Sequence, residues 1–164
     1  MAADILRSWR SPRQTMRAML RDGPREDRAL AVLMAACLLV FVAQWPALAR
    51  AAHLDPSVPL AARIGGALMG WLFIAPLLLY GIAGLVQAAL WLAGRRACGT
   101  AVRLALFWAL LASAPLWLLH GLMRGIVGTG ALTAVVGFGV LGAFLLLWGV
   151  LMREAMLEAP ATSA

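Results

Sequence analysis

The chain has 164 residues, of which 63% are hydrophobic and only 13% charged, with a formal net charge of +7. Soluble domains average roughly 45–50% apolar and 25% charged residues, and a chain of this size has too little interior to hide the excess. A water-soluble fold is therefore excluded, and a bilayer must act as solvent for the apolar surface.

All fourteen basic residues are Arg. Their exclusive use in an Ala/Leu/Gly-rich chain points to a GC-rich bacterial genome. They flank apolar runs or crowd the first 28 residues, and no recognition motif accompanies them, so nucleic acid is not the expected partner.

Residues 1–28 form a basic lead-in. Ser11 can cap a helix, Pro12 suits its first position and Gln14 completes a capping box. Met16, Met19 and Leu20 then share one face, and Arg13, Arg17 and Arg21 stack at i, i+4 on another. Gly23-Pro24 ends the segment. A short amphipathic helix is expected here, lying on anionic headgroups at the cytoplasmic face. It serves as a topology anchor or, alternatively, as a docking site for an acidic partner.

Four apolar runs follow, at 29–49, 64–93, 104–123 and 126–152. Each reaches the ~20 residues that a crossing helix needs. None shows the in/out alternation of barrel strands. The expected fold is all-α, a transmembrane bundle of four helices over 29–153, with a short cytoplasmic tail at 154–164. Ala47-Leu48-Ala49 resembles a signal-peptidase site. The long, partly acidic lead-in and the long apolar core favour an uncleaved span.

The second run is too long for a simple crossing, at roughly 45 Å against a core of about 30 Å. Pro76 is expected to kink it, and Pro115 sits comparably in the third. Trp71 and Trp91 are spaced to mark the two interfaces, and Trp45, Trp108 and Trp148 also fit aromatic belts. A rival reading splits the run at Pro76 into a broken helix of the kind that lines transporter sites.

Arginine placement sets the orientation. With both ends in the cytoplasm, the lead-in, Arg95, Arg96, Arg103 and Arg153 lie inside, and only Arg50, Arg63 and Arg124 lie outside. This is the positive-inside pattern, and it places the chain in a bacterial inner membrane. Arg95 and Arg96 join Arg13, Arg17 and Arg21 as expected contacts with the membrane surface or a partner.

Chemistry is harder to find. No Asp, Glu or Arg lies deep in a run, so an ion-coupled path is disfavoured. Ser113 and His120 share a helix face but stand about 10 Å apart along its axis, too far for a nucleophile and its base. His120 could ligate haem, but Leu116 one turn earlier would crowd a flat ring, and few other groups could complete a site. Cys37 and Cys98 have no partner at zinc spacing. No catalytic residue, cofactor or metal site is expected.

Gly66-x-x-x-Gly70 and Gly121-x-x-x-Gly125 are small-xxx-small pairs, and Gly137 leads a third glycine group in run four. Such residues let helix backbones approach closely. Packing within the bundle is the plainer expectation, and a surface for another membrane protein the sharper one.

The order of features resembles the Yip domain (Ypt/Rab-interacting protein) family. Two stretches carry this. One runs from Ser11-Pro12-Arg13-Gln14-Thr15-Met16-Arg17 to Gly23-Pro24-Arg25-Glu26. The other runs from Val102-Arg103-Leu104-Ala105-Leu106 to Ser113-Ala114-Pro115. They are similar to the lead-in of bacterial members and to a basic-start span ending in a small-Pro pair. The resemblance implies a multi-span membrane protein with no catalytic residues. Eukaryotic members are linked to small GTPases and vesicle traffic. Family members commonly have five spans, so four is a departure. Together these readings favour a non-enzymatic scaffold, assembly or accessory subunit that packs against other membrane proteins or organises lipid. The alternative is a small transporter or channel subunit using the Pro76 kink beside Tyr80 and Gly81.

Overall fold

A computed structural model describes residues 26–95 and 98–158. The expected surface helix, with Arg13, Arg17 and Arg21, and also Arg96 lie outside them. Among the described residues there are helices and no strands: α1 (Glu26–Leu54), α2 (Leu60–Met69), a π turn (Gly70–Ile74), α3 (Ala75–Leu92), α4 (Gly99–Ile126) and α5 (Ala131–Glu158). α2, the π turn and α3 form one continuous rod, so four helical rods are long and apolar enough to cross a membrane. The chain is a multi-pass membrane protein.

The helices overrun the apolar runs. Backbone hydrogen bonding does not stop where hydropathy falls, and polar side chains can reach the headgroup layer. α1 therefore continues through Arg50 and His53, and α4 begins five residues before Leu104. The last rod differs from the fourth apolar run at both ends. Residues from Val127 to Gly130 lie between the helices, so the fourth span does not begin at Ile126. α5 then runs on to Glu158 with Glu154 and Ala155 buried, so the helix continues into the segment expected as the cytoplasmic tail.

Pro76 accounts for the π turn. It has no N–H to give the carbonyl four residues back, and the helix accommodates it by widening just before. The Ala75 N–H bonds the Gly70 carbonyl across five residues, so the backbone stays hydrogen-bonded and is not unwound. The second apolar run is one rod, and the broken-helix reading loses its structural requirement. Pro115 lies inside α4, which passes through it in one piece. At the other end of the rod, Gly94 closes α3 with φ +71. Its N–H bonds the Trp91 carbonyl and the Arg95 N–H bonds the Leu90 carbonyl. That pair of bonds is a Schellman motif, whose left-handed position suits glycine.

α4 is the centre of the molecule. Every residue from Ala101 to Ala114 except Arg103 is buried. α1 makes the broadest interface with it, α5 the next, and the α2–α3 rod leans on the pair more lightly. α1 and α4 run parallel in fixed register. Glu26 meets Arg103 at an offset of 77 residues, and Arg50 meets Ile126 at 76, some six turns further on. We call the end where α1 begins and α5 finishes the terminal end, and the opposite one the hairpin end.

The burial is uneven along the axis. The half of α4 nearer the terminal end is enclosed all round, while Leu118, Leu119 and Leu122 beyond Pro115 are exposed. Trp108, expected at a membrane interface, is only 2% exposed. Because α4 starts at Gly99, Trp108 stands more than two turns inside the helix and packs into the core. Trp91, by contrast, is 75% exposed at the end of α3.

Candidate functional site

Four features could carry function: the α1–α4 seam, the terminal-end polar cluster, the outer face of the α2–α3 rod, and a cleft between α4 and α5.

The seam is built by glycine. A Cβ added at Gly121 would lie 1.7 Å from the Ala43 carbonyl oxygen, and one at Gly125 would lie 2.4 Å from Pro46 Cβ. The hydrogen that takes this direction in Gly121 faces the carbonyl, a Cα–H···O contact of the kind found at close helix crossings. Just beyond, the Arg50 guanidinium donates to the Ile126 carbonyl at 3.0 Å and to the Gly125 carbonyl at 3.4 Å. A cation thus sits on the C-terminal carbonyls of α4, which no helical N–H can reach. Gly137 of α5 meets the ring of His120, with Cε1 3.1 Å from its Cβ position.

Gly66 and Gly70 behave differently. No heavy atom lies within 4 Å of the Cβ position at either. Neither glycine is therefore in close contact with another rod; Gly66 is exposed and Gly70 half-buried. Ala83 is the one fully buried residue of the α2–α3 rod among those described. Phe73, Leu77, Leu78 and Leu85 are all exposed. Tyr80 points inward instead, its ring 5.0 Å from that of Phe107.

At the terminal end, Glu26 in the first turn of α1 pairs with Arg103 of α4 and accepts a hydrogen bond from the Thr100 hydroxyl at 2.8 Å. The Gln87 amide of α3 lies against Gly99, where an added Cβ would be 2.6 Å from its Oε1. Arg95 reaches Met156 Sδ of α5 at 3.7 Å. Polar contacts at this end thus join α1 to α4, and the residues just after α3 to α5. Each is partly solvated, so each contributes at most about 1 kcal/mol.

Ser113 is fully buried, and its hydroxyl donates to the Leu110 carbonyl one turn back at 2.9 Å. That bond engages its proton locally, as serine commonly does within helices. In the loop at the hairpin end, Asp55 accepts bonds from the Ser57 hydroxyl and amide and pairs with Arg63 at 3.0 Å. These partners, Ser57 foremost, hold its carboxyl below the ordinary value of 3.8.

The cleft is the feature that sequence reading missed. It is an open groove of about 240 Å³ between the last turns of α4 and the first two turns of α5, and His120, Arg124, Thr129, Gly130, Thr133 and Gly137 line it. Thr133 is buried and its hydroxyl donates to the Gly128 carbonyl at 2.8 Å. His120 Nδ1 is shielded and has no hydrogen-bond partner among the described residues.

Comparisons with protein-family models, with curated proteins and with solved structures found no match to this chain.

Proposed function

We propose that this is a non-enzymatic scaffold or accessory subunit that packs against another membrane protein through the outer face of its α2–α3 rod. One observation carries the reading. The rod is 33 residues long, yet a single residue of it is fully buried, and Gly66 and Gly70 stand open on its surface. Apolar side chains alone would be satisfied by lipid. An open glycine pair gives lipid tails nothing extra, whereas it lets a partner helix come close enough for backbone contacts.

The wider setting follows from the arginines. Arg28, Arg95, Arg103 and Arg153 lie toward the terminal end, and Arg50, Arg63 and Arg124 toward the hairpin end. With the basic lead-in added, the positive-inside rule puts the terminal end in the cytoplasm of a bacterial inner membrane. A place in the Yip domain family would suit such a role, since the family is one of multi-span proteins without catalytic residues.

The test is a photo-reactive side chain placed at Gly70 in native membranes, with Gly142 of α5 as control, since it too has no neighbour within 4 Å. A discrete protein adduct at position 70 and none at 142, together with a complex larger than the monomer in mild detergent, is the expected result. Lipid adducts alone at both positions, with a free monomer in detergent, would overturn the proposal.

A further inference from the structure

One stripe of α4 changes character halfway along. Ala101, Trp108, Ala112, Pro115, Leu119 and Ile126 follow one another at spacings of 7, 4, 3, 4 and 7 residues, so they share a helix face. In the terminal half this face is closed: Trp108 is 2% exposed, and Ala101 and Ala112 are buried as well. In the hairpin half it is open, with Pro115, Leu119 and Ile126 exposed.

The described rods pack on other faces of α4. Phe107 meets Tyr80 of the α2–α3 rod, His120 meets Gly137 of α5, and Gly121 meets Ala43 of α1. At about 100° per residue, Trp108 points roughly 100° away from Phe107, 120° from His120 and 140° from Gly121. It faces the groove between the α2–α3 rod and α5, which do not pack broadly on one another. Glu154 of α5, near the terminal end, is 3% exposed. A carboxylate so far from water needs a cation or several donors, and Arg103 is already paired with Glu26. Trp108, Ala112 and Glu154 are nonetheless all partnered.

We propose that the chain's own lead-in, residues 1–25, fills this groove, laying Met16, Met19 and Leu20 against the stripe of Trp108 and its arginines toward Glu154 and the headgroups. The lead-in lies outside the described residues, but it joins α1 at Glu26, at the same end as the buried half of the stripe. Its length fits. Ala101 to Ala112 spans about 16 Å along α4, and Ser11 to Asp22, with the same number of residues, spans the same distance as a helix. Its chemistry fits too: an apolar face for Trp108, and Arg13, Arg17 and Arg21 as the cations that Glu154 calls for. Long arginine stems let the guanidinium groups reach the headgroup layer while the apolar face stays inside. Lipid would cover both halves of the stripe alike, whereas burial stops at Pro115, as it must under a short segment entering from the terminal end. The lead-in is then part of the membrane domain and more than a surface anchor. The proposal is independent of any partner on the outer face of the α2–α3 rod.

The test places a photo-reactive side chain at Met16 of the full chain in native membranes and maps the adducts by mass spectrometry. The expected result is an adduct within the same chain, on α4 between Ala101 and Ala112 or on the turn of α5 around Glu154. Leu20→Asp, which alters the apolar face of the lead-in and no described residue, is expected to abolish that adduct, while Arg63→Gln at the hairpin end leaves it unchanged. Adducts to lipid alone, to a second copy or to another protein would overturn the proposal. So would an internal adduct that persists undiminished in Leu20→Asp.

Discussion

Gly121→Leu is expected to remove most of the folded protein, while Gly139→Leu leaves its yield and melting temperature nearly unchanged. The Cβ of the new residue would fall 1.7 Å from the Ala43 carbonyl oxygen, with the carbonyl carbon at 2.7 Å. Both are backbone atoms, so no rotamer change relieves the clash. α1 and α4 would have to separate at the hairpin end. Overpacking by extra methylenes typically costs about 1–3 kcal/mol, and a clash against backbone belongs at or above the upper limit. Separation would also draw Arg50 from the α4 carbonyls, which lie beyond Gly121 in the same register. Gly139 has no neighbour within 4 Å, so its side chain would enter lipid. Unfolding in a mixed-detergent titration measures both variants, and Gly121→Ala should already lower the midpoint.

Phe107→Ala should cost about 2–3 kcal/mol, and Leu119→Ala almost nothing, although both residues are large, apolar and on α4. Phe107 is fully buried and packs against Tyr80, whereas Leu119 is 57% exposed. In water the lost transfer energy would dominate such a comparison. In a bilayer the separated helices also keep Phe in an apolar medium, so that contribution largely cancels. What remains is the cavity: about 100 Å³ at ~24 cal/mol per Å³ gives roughly 2.4 kcal/mol. The same titration reads the difference. It also tests whether α4 is central, because a peripheral helix would show similar small losses at both sites.

The number of spans was legible because lipid demands long unbroken apolar helices. Which span lies at the centre was not. In a soluble protein the buried helix is the most apolar, but here all sides are apolar, and the most buried rod is not the most hydropathic one. Small residues mark close approach only as a possibility. Gly121 and Gly125 realise it against Ala43 and Pro46, while Gly66 and Gly70, at identical spacing, have no such neighbour. Spacing states what a helix face permits, and tertiary structure decides which face is used. Trp108 was misplaced for a related reason: hydropathy marks where a run turns apolar, five residues after α4 begins. The cleft was hidden by the same effect at the other end of the chain. Read as hydropathy, residues 126–152 form one apolar run, and the start of α5 beside Arg124 becomes visible only once Val127 to Gly130 are seen to leave the helix.

The natural cysteines offer the most direct measurement. Cys98 is exposed at the terminal end and Cys37 is buried in α1. Ser57 is exposed in the loop at the hairpin end. Labelling intact cells with a membrane-impermeant maleimide, before and after permeabilisation, reports which end lies on which side. Four crossing helices with a cytoplasmic terminal end predict that Ser57→Cys, in a Cys98→Ser background, reacts in intact cells. In the unsubstituted chain, Cys98 reacts only after permeabilisation. Labelling of positions 57 and 98 from the same side of the membrane would contradict it.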